Sequence, residues 1–345
     1  MIQKFAISRD DSVYQAWPDV ALTKSGKLVC VFSECKHHGD RSYTRVMLTD
    51  SSDRGRTWTA KRPLTEATNG SDVPYWNCAR ITQLRDGRLA VVVDKIHGKG
   101  ESRGKNHLFF SSDEGATWTG AETPVLGIVP DRLLELESGR WIIGAHINDD
   151  KFGFLHQRLY YSDDKGKTWS APVTVGRQEG LNLCEVSILP VKDKLVAFMR
   201  ENSFDGKDCY KAISSDNGEH WSELIRFPLP GCHRPVAGLL QNGQILITHR
   251  FMQGGKGWVG WWTQNFFAAL TDEESALAET RKEAHTRILP LDFDRSPESD
   301  TGYSGWVQFD DGEIYVVNYI VDDAPKGQIR GYAFRMDDFL LKTKS

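Results

Sequence analysis

The pattern Ser-x-Asp-x-Gly-x-x-Trp occurs four times in this chain, at residues 51–58, 111–118, 162–169 and 214–221. Its aspartates, Asp53, Asp113, Asp164 and Asp216, follow one another at intervals of 60, 51 and 52 residues, about the length of a four-stranded β-unit with its loops. A chain that repeats at this period is built of units that bury their faces against one another. Within each copy the Ser and Asp side chains can hydrogen-bond to their own turn, Gly supplies a positive φ, and Trp carries a large ring that pins the turn to a sheet. The pattern is read as scaffold, a tight turn between two strands once per propeller blade.

A second rhythm counts the blades. Short apolar runs broken by a turn recur over residues 22–32, 84–93, 133–143, 188–198, 239–247 and 307–317. Their turn residues Gly26, Gly87, Gly139, Asp193, Gly243 and Gly312 lie 61, 52, 54, 50 and 69 apart, in phase with the Trp-containing turns. Six hairpins predict an all-β fold, a six-bladed β-propeller of four-stranded antiparallel blades forming one domain over residues 1–345. The fifth turn pattern has degenerated to Thr271-Asp272-Glu273-Glu274-Ser275, the sixth is absent, and a short helical insertion is expected over 276–285. Ring closure requires the chain ends to share a blade, with 2–7 or 331–334 completing the last sheet.

Composition narrows the function classes. No apolar run approaches the ~18 residues of a membrane-spanning helix, so no membrane partner is expected. A net charge of −4 without a basic block lacks the electrostatic footprint of a nucleic-acid binder. The first residues carry no signal-peptide stretch, so the expectation is a cytoplasmic protein, or a secreted or periplasmic one from which a leader has been removed. The six cysteines (Cys30, Cys35, Cys78, Cys184, Cys209, Cys232) show no Cys-x-x-Cys pair and no metal-ligand rhythm, and the histidines show no metal spacing. They are read as core residues, with no metal or cofactor implied.

The hairpins also serve as a ruler. In a hairpin the start of the first strand and the end of the second share one edge of the sheet. Strand starts then contribute Trp17, Asn77 to Arg80, Asp131, Glu185, His233, Arg234 and Tyr303 to one face of the ring, and strand ends contribute Glu34, Asp94, His146, Arg200, Arg250 and Tyr319. Polar groups converging at a propeller mouth are the usual setting of a ligand site. Glu185, among Leu181, Leu183, Cys184 and Val186, needs a cationic partner, for which Arg200 and Arg234 are the candidates.

With these residues in place, the chain resembles the sialidase (neuraminidase) superfamily along nearly its whole length. Glu185-Val186-Ser187 followed by Arg200-Glu201-Asn202 is similar to that family's glutamate and one of its carboxylate-binding arginines. Gly302-Tyr303-Ser304-Gly305 resembles the segment with the nucleophilic tyrosine, and His37-His38-Gly39-Asp40 the loop with the acid/base aspartate. The resemblance implies an exo-acting, retaining glycoside hydrolase that releases a terminal sialic acid or related acidic sugar from a glycan. In it Tyr303 attacks the anomeric carbon, Glu185 accepts the phenol proton, and Asp40 protonates the leaving oxygen and later activates water.

The chain also departs from that family. Gln15-Ala16-Trp17-Pro18 stands where the first family arginine belongs, and Trp262-Thr263-Gln264-Asn265 where the third belongs. Arg234 and Arg250 could rebuild an anion clamp with Arg200. His37, His38, His233, Arg80, Asp131, Trp17 and Trp76 are the remaining expected substrate contacts, with Trp258, Trp261, Trp262 and Trp306 as further stacking faces. Two alternatives stand beside the sialidase reading: a glycosidase or lyase of other sugar specificity using His233 with Tyr303, and a carbohydrate-binding propeller without catalysis.

Overall fold

A computed structural model describes residues 2–100, 103–149, 153–252 and 263–340. Six antiparallel sheets follow one another along the chain. Blade I holds Tyr14–Leu22, Leu28–His37, Asp40–Ser51 and Arg62–Pro63, with Thr68–Asn69 added on the third strand. Blade II holds Tyr75–Gln83, Leu89–Ile96, Gly104–Ser111 and Thr119–Leu126, and blade III holds Leu134–Glu135, Trp141–Asp149, Phe154–Ser162 and Val173–Gly176. Blade IV comprises Leu183–Val191, Lys194–Glu201, Asp208–Ser214 and Ile225–Pro230; blade V comprises Cys232–Leu239, Ile245–Met252, Gln264–Thr271 and Arg287–Phe293. Blade VI is assembled from both ends of the chain: Thr301–Gln308, Ile314–Ile320 and Gln328–Phe334 are completed by Gln3–Ser8. Both expected closing segments therefore take part, paired with each other.

The hairpin turns fall where the sequence rhythm places them, and five share one hydrogen-bonding scheme. Thr23, Leu84, Leu136, Leu240 and Phe309 each donate their backbone N–H to the carbonyl four residues on, at 2.8 Å, which closes the loop on a positive-φ glycine.

The four Trp-containing turns lie between the third and fourth strands of blades I to IV and are near copies of one another. In the first, Ser51 Oγ donates to Asp53 Oδ1 at 2.8 Å and accepts from Gly55 N at 2.8 Å. Asp53 accepts from Thr57 N at 2.9 Å and Thr57 Oγ1 at 2.6 Å, and Trp58 Nε1 donates to the Gly55 carbonyl at 3.1 Å. The residue before each glycine is also left-handed: Arg54, Glu114, Lys165 and Asn217 have φ between 53° and 61°. Gly55 is required for a second reason, since a Cβ there would stand 2.2 Å from the Tyr315 ring of blade VI.

The insertion after the degenerate fifth turn differs from expectation. The helix spans Glu273–Leu277, earlier than 276–285, because the Asp272 side chain caps Ser275 N at 2.8 Å and starts the turn there. Its carbonyls at Ser275 and Ala276 accept from the buried Lys211 ammonium at 3.0 and 2.7 Å, which ties the insertion of blade V to blade IV.

All six cysteines are free and buried. Among the described residues no helix is long and apolar enough to cross a membrane, and no group of three or more His, Cys, Asp or Glu side chains is placed to hold a metal.

The hydrogen bonds of these turns make a prediction about acid stability. The Thr168 hydroxyl, then its amide, hold the Asp164 carboxyl down at about 2, against an ordinary aspartate value of 3.8. A carboxyl lowered on folding stabilises the fold above the unfolded value and stops doing so as pH falls through the folded one. Asp164→Asn is expected to lower the melting temperature at pH 7, and its deficit relative to wild type should close as pH falls from 4 to 2. A deficit unchanged across that range, followed by calorimetry or circular dichroism, would contradict the role given to the turn carboxylate.

Candidate active site

The inner strands of the blades are bent where they reach the mouth. Their pairing with the second strand skips between Ala16 and Asp19, Trp76 and Ala79, Cys184 and Ser187, His233 and Val236, and Thr301 and Ser304. At four of these bends, all but that of blade II, and at the matching approach to blade III sit positive-φ residues: Trp17 (54°), Val129 (51°), Glu185 (49°), Arg234 (51°) and Gly302 (102°). A bulge re-aims side chains and a left-handed non-glycine residue costs about 1–3 kcal/mol, so the mouth carries backbone distortion of its own. Gly302 admits no substitute, since a Cβ there would lie 2.4 Å from Arg250 Cβ. Beyond the bends, neighbouring blades are stitched together: Asp19 Oδ2 accepts from Ile81 N at 3.0 Å, Asp131 Oδ2 from Ile188 N at 2.8 Å, and Ser187 Oγ from Ala237 N at 3.0 Å.

Three groups meet at the centre. Arg200 Nη1 donates to both Glu185 oxygens, at 2.8 and 2.9 Å, and to Tyr303 Oη at 3.1 Å, while the Tyr303 hydroxyl donates to Glu185 Oε1. All three side chains are buried. Burial alone would raise the Glu185 carboxyl, but the charge and hydrogen bond of Arg200 outweigh it and hold the group at about 2. Burial, then the Glu185 charge, push the Tyr303 phenol well above 10. At neutral pH the arrangement is a protonated phenol aimed at an ionised carboxylate.

Two further arginines face the same ring: the Arg250 guanidinium lies 4.8 Å from the Tyr303 ring centre and that of Arg234 5.9 Å. Arg234 donates to the Val129 and Pro130 carbonyls at 3.3 and 2.7 Å, so it also braces blade III. Arg250 donates to Thr301 O at 2.5 Å, Tyr319 Oη at 2.5 Å and Asp300 Oδ1 at 3.1 Å. The three expected clamp arginines are thus brought round one tyrosine, with Arg234 and Arg250 already holding protein acceptors.

Asp300 is the residue the sequence reading missed. It is buried, accepts from Tyr14 Oη at 2.5 Å and Tyr319 Oη at 2.6 Å, and contacts Arg250 and His38 Nδ1. Burial would raise its carboxyl, yet His38, Arg250 and Tyr14 together hold it well below the usual range. The signal was its place three residues before Tyr303, immediately ahead of the same strand. Trp17, also buried, is bracketed by Arg41 at 3.9 Å and by the rings of His38 at 5.3 Å and Tyr319 at 6.1 Å.

The other expected site residues stand at varying removes from this centre. Asp40 is exposed at a hairpin tip and turns back on its own chain, accepting from Ser42 N at 2.9 Å. Ser42 holds that carboxyl below its usual value, and no hydrogen bond joins it to the Tyr303 group. His37 accepts from Gly39 N at 3.3 Å and packs on the edge of Tyr14. His233 is buried against Phe204, and burial with the Arg200 and Arg250 charges keeps its imidazole neutral. His146 accepts from Glu185 N at 3.4 Å, and burial brings it down to about 4 despite the Glu185 carboxylate.

Arg80 and Asp131 act inside the ring: Arg80 donates to Ser304 O at 2.7 Å and pairs with Asp19 at 3.3 Å, and Asp131 makes the blade III–IV stitch. Trp76 packs with His107, Phe109 and Lys95, and Trp306 donates to Val236 O at 3.1 Å between blades V and VI. Trp258, Trp261 and Trp262 lie outside the described residues.

Known proteins share this architecture. The family model of the BNR repeat-like domain matches residues 3–124 and 69–316. A Dyadobacter fermentans protein of unknown function superposes with a TM-score of 0.75 at 20% identity, covering 96% of this chain and 98% of that one. A Hadza microbial sialidase superposes at 0.71 with 18% identity over 98% of this chain and 69% of its own. The Penicillium chrysogenum α-L-arabinanase complexed with arabinobiose superposes at 0.68 with 15% identity over 98% and 99%. At these identities the likeness is one of fold. The chain has no match among curated proteins.

The central ion pair can be tested by stability alone. Removing one partner of a buried pair leaves the other charge uncompensated, at a cost of about 3–5 kcal/mol. Glu185→Gln should therefore lower the denaturant midpoint more than the double change Glu185→Gln/Arg200→Met does. Equal or greater loss in the double variant would show that the pair is not the source of the cost.

Proposed function

The chain belongs to the BNR repeat-like domain family, and within it we propose that this protein is an exo-acting glycoside hydrolase that releases a terminal sialic acid or related acidic sugar from a glycan by a retaining mechanism. The observation that carries the reading is the Tyr303 hydroxyl bonded to the ionised Glu185, with Arg200 on both. A phenol is a weak nucleophile until its proton has somewhere to go, and Glu185 is the group in hydrogen-bond contact that takes it. Arg200 keeps the carboxylate ionised in a buried site and stabilises the phenolate as it forms.

The acidic sugar follows from charge. A tyrosine is neutral in the resting site, so it can approach an anomeric carbon that bears a carboxylate, where a carboxylate nucleophile would be repelled. Arg200, Arg250 and Arg234 place three positive charges around it. Arg200 makes its hydrogen bonds to Glu185 and Tyr303 through Nη1 alone, which leaves Nη2 to donate to a substrate oxygen.

Hydrolysis of 4-nitrophenyl α-glycosides of N-acetylneuraminic acid tests the reading. Tyr303→Phe removes the nucleophilic oxygen with little change of shape, and kcat should fall on the order of 10³-fold or more. Activity preserved in that variant would overturn the tyrosine nucleophile. Turnover of an arabinofuranoside in preference to the sialoside would move the specificity to a neutral sugar.

A further inference from the structure

We propose that His38, held by the buried carboxylate of Asp300, is the general acid and base of the reaction, in the role that the resemblance to sialidases implies for Asp40. The proposal rests on the glycosidase reading of Tyr303.

Geometry carries it. His38 stands at the tip of the blade I hairpin with its side chain 43% exposed, while Asp300 lies beneath it, immediately ahead of the Tyr303 strand. Asp300 receives four donors: Tyr14 and His38 on Oδ2, Arg250 and Tyr319 on Oδ1. A carboxylate so fully engaged is poorly placed to attack substrate or hand over a proton, and its remaining role is to orient what touches it. Bonded to that anion, His38 carries its proton on Nδ1, which leaves Nε2 as the nitrogen that exchanges protons with a ligand.

A row of aromatic rings joins His38 to the nucleophile: the His38 ring lies 5.3 Å from Trp17, Trp17 6.1 Å from Tyr319, and Tyr319 6.2 Å from Tyr303. Arg41 Nε donates to the His38 carbonyl at 3.0 Å and stacks on Trp17, fixing the hairpin tip. The ionisable groups around the imidazole are Asp300, Arg250, Tyr14 and Tyr319 from blades I, V and VI, and His37, Asp40 and Arg41 from its own hairpin. Of these, Asp300 is the one bonded to the ring.

The proton balance closes with these groups. As Tyr303 oxygen bonds to the anomeric carbon, its proton passes to Glu185, the glycosidic C–O bond breaks, and the leaving oxygen takes the Nε2 proton of His38. In the second half, neutral Nε2 takes a proton from water, the water oxygen displaces Tyr303 from the sugar, and the phenolate recovers its proton from Glu185. The sum is hydrolysis, with every side chain restored.

A leaving-group series tests this. Wild type and His38→Gln are assayed on 4-nitrophenyl, phenyl and methyl α-glycosides of N-acetylneuraminic acid, with melting temperatures showing that both are folded. His38→Gln should lose about 10²-fold or more in kcat/KM on the methyl and phenyl substrates and less than about tenfold on the 4-nitrophenyl one. Azide should raise its turnover of the 4-nitrophenyl substrate, with glycosyl azide as the product. A loss equal across all three substrates overturns the proposal, as does a leaving-group-dependent loss in Asp40→Asn that is absent from His38→Gln. A wild type that hydrolyses none of the three overturns the sialoside reading, and the proposal with it.

Discussion

Closure of the ring is the constraint on which the rest of this molecule depends. The last of the six sheets is finished by the first residues of the chain, as Gln3–Ser8 pairs with Gln328–Phe334. That pairing sets blade I beside blade VI closely enough that a Cβ on Gly305 would overlap Asp19. Across the same seam Tyr14 and His38 reach Asp300, and Trp17 reaches Tyr319. Half of the candidate site is thus made of residues from opposite ends of the chain, and it exists only in the closed ring.

The second ingredient is local distortion. A regular strand would point alternate side chains into the neighbouring blades, where Glu185 and Arg234 would have no polar partner. The left-handed turn at each of them bends the strand as it reaches the mouth, so that Glu185 meets Arg200 and Tyr303 while the strand below packs normally. The strain at Trp17, Glu185 and Arg234 is offset by the packing of the blades behind them, which is how strained backbone persists at functional sites.

Much of this was legible in the sequence where the chemistry is local. The Trp-containing turns and the six hairpins depend on residues within eight positions of one another, and their phase counts the blades. The hairpin register then carries Glu185, Arg200, Arg250 and Tyr303 to one edge, as the pairing of Cys184 with Arg200 and of His233 with Arg250 shows. What was not legible depends on long-range neighbours or on backbone shape. Asp300 takes its meaning from Tyr14 and His38, 286 and 262 residues away. Asp40 falls in a loop that resembles an acid/base segment, yet its carboxylate caps Ser42. The bends had a faint signature in the repeated X-Pro steps Trp17-Pro18, Val129-Pro130 and Arg234-Pro235, which the apolar periodicity concealed.

The proposed mechanism turns on one covalent bond. In the proposed function, the phenol hydrogen-bonded to an ionised glutamate and braced by an arginine becomes the nucleophile, and the surrounding positive charge receives an acidic sugar. Incubation with a fluorinated sialosyl donor that slows breakdown of the intermediate, followed by intact-mass and peptide mass spectrometry, tests this most directly. The account predicts one added sugar, on the peptide that contains Tyr303 and on the tyrosine oxygen. A sugar attached to Glu185 or Asp300, or turnover that inverts the anomeric centre and leaves no adduct, would contradict it.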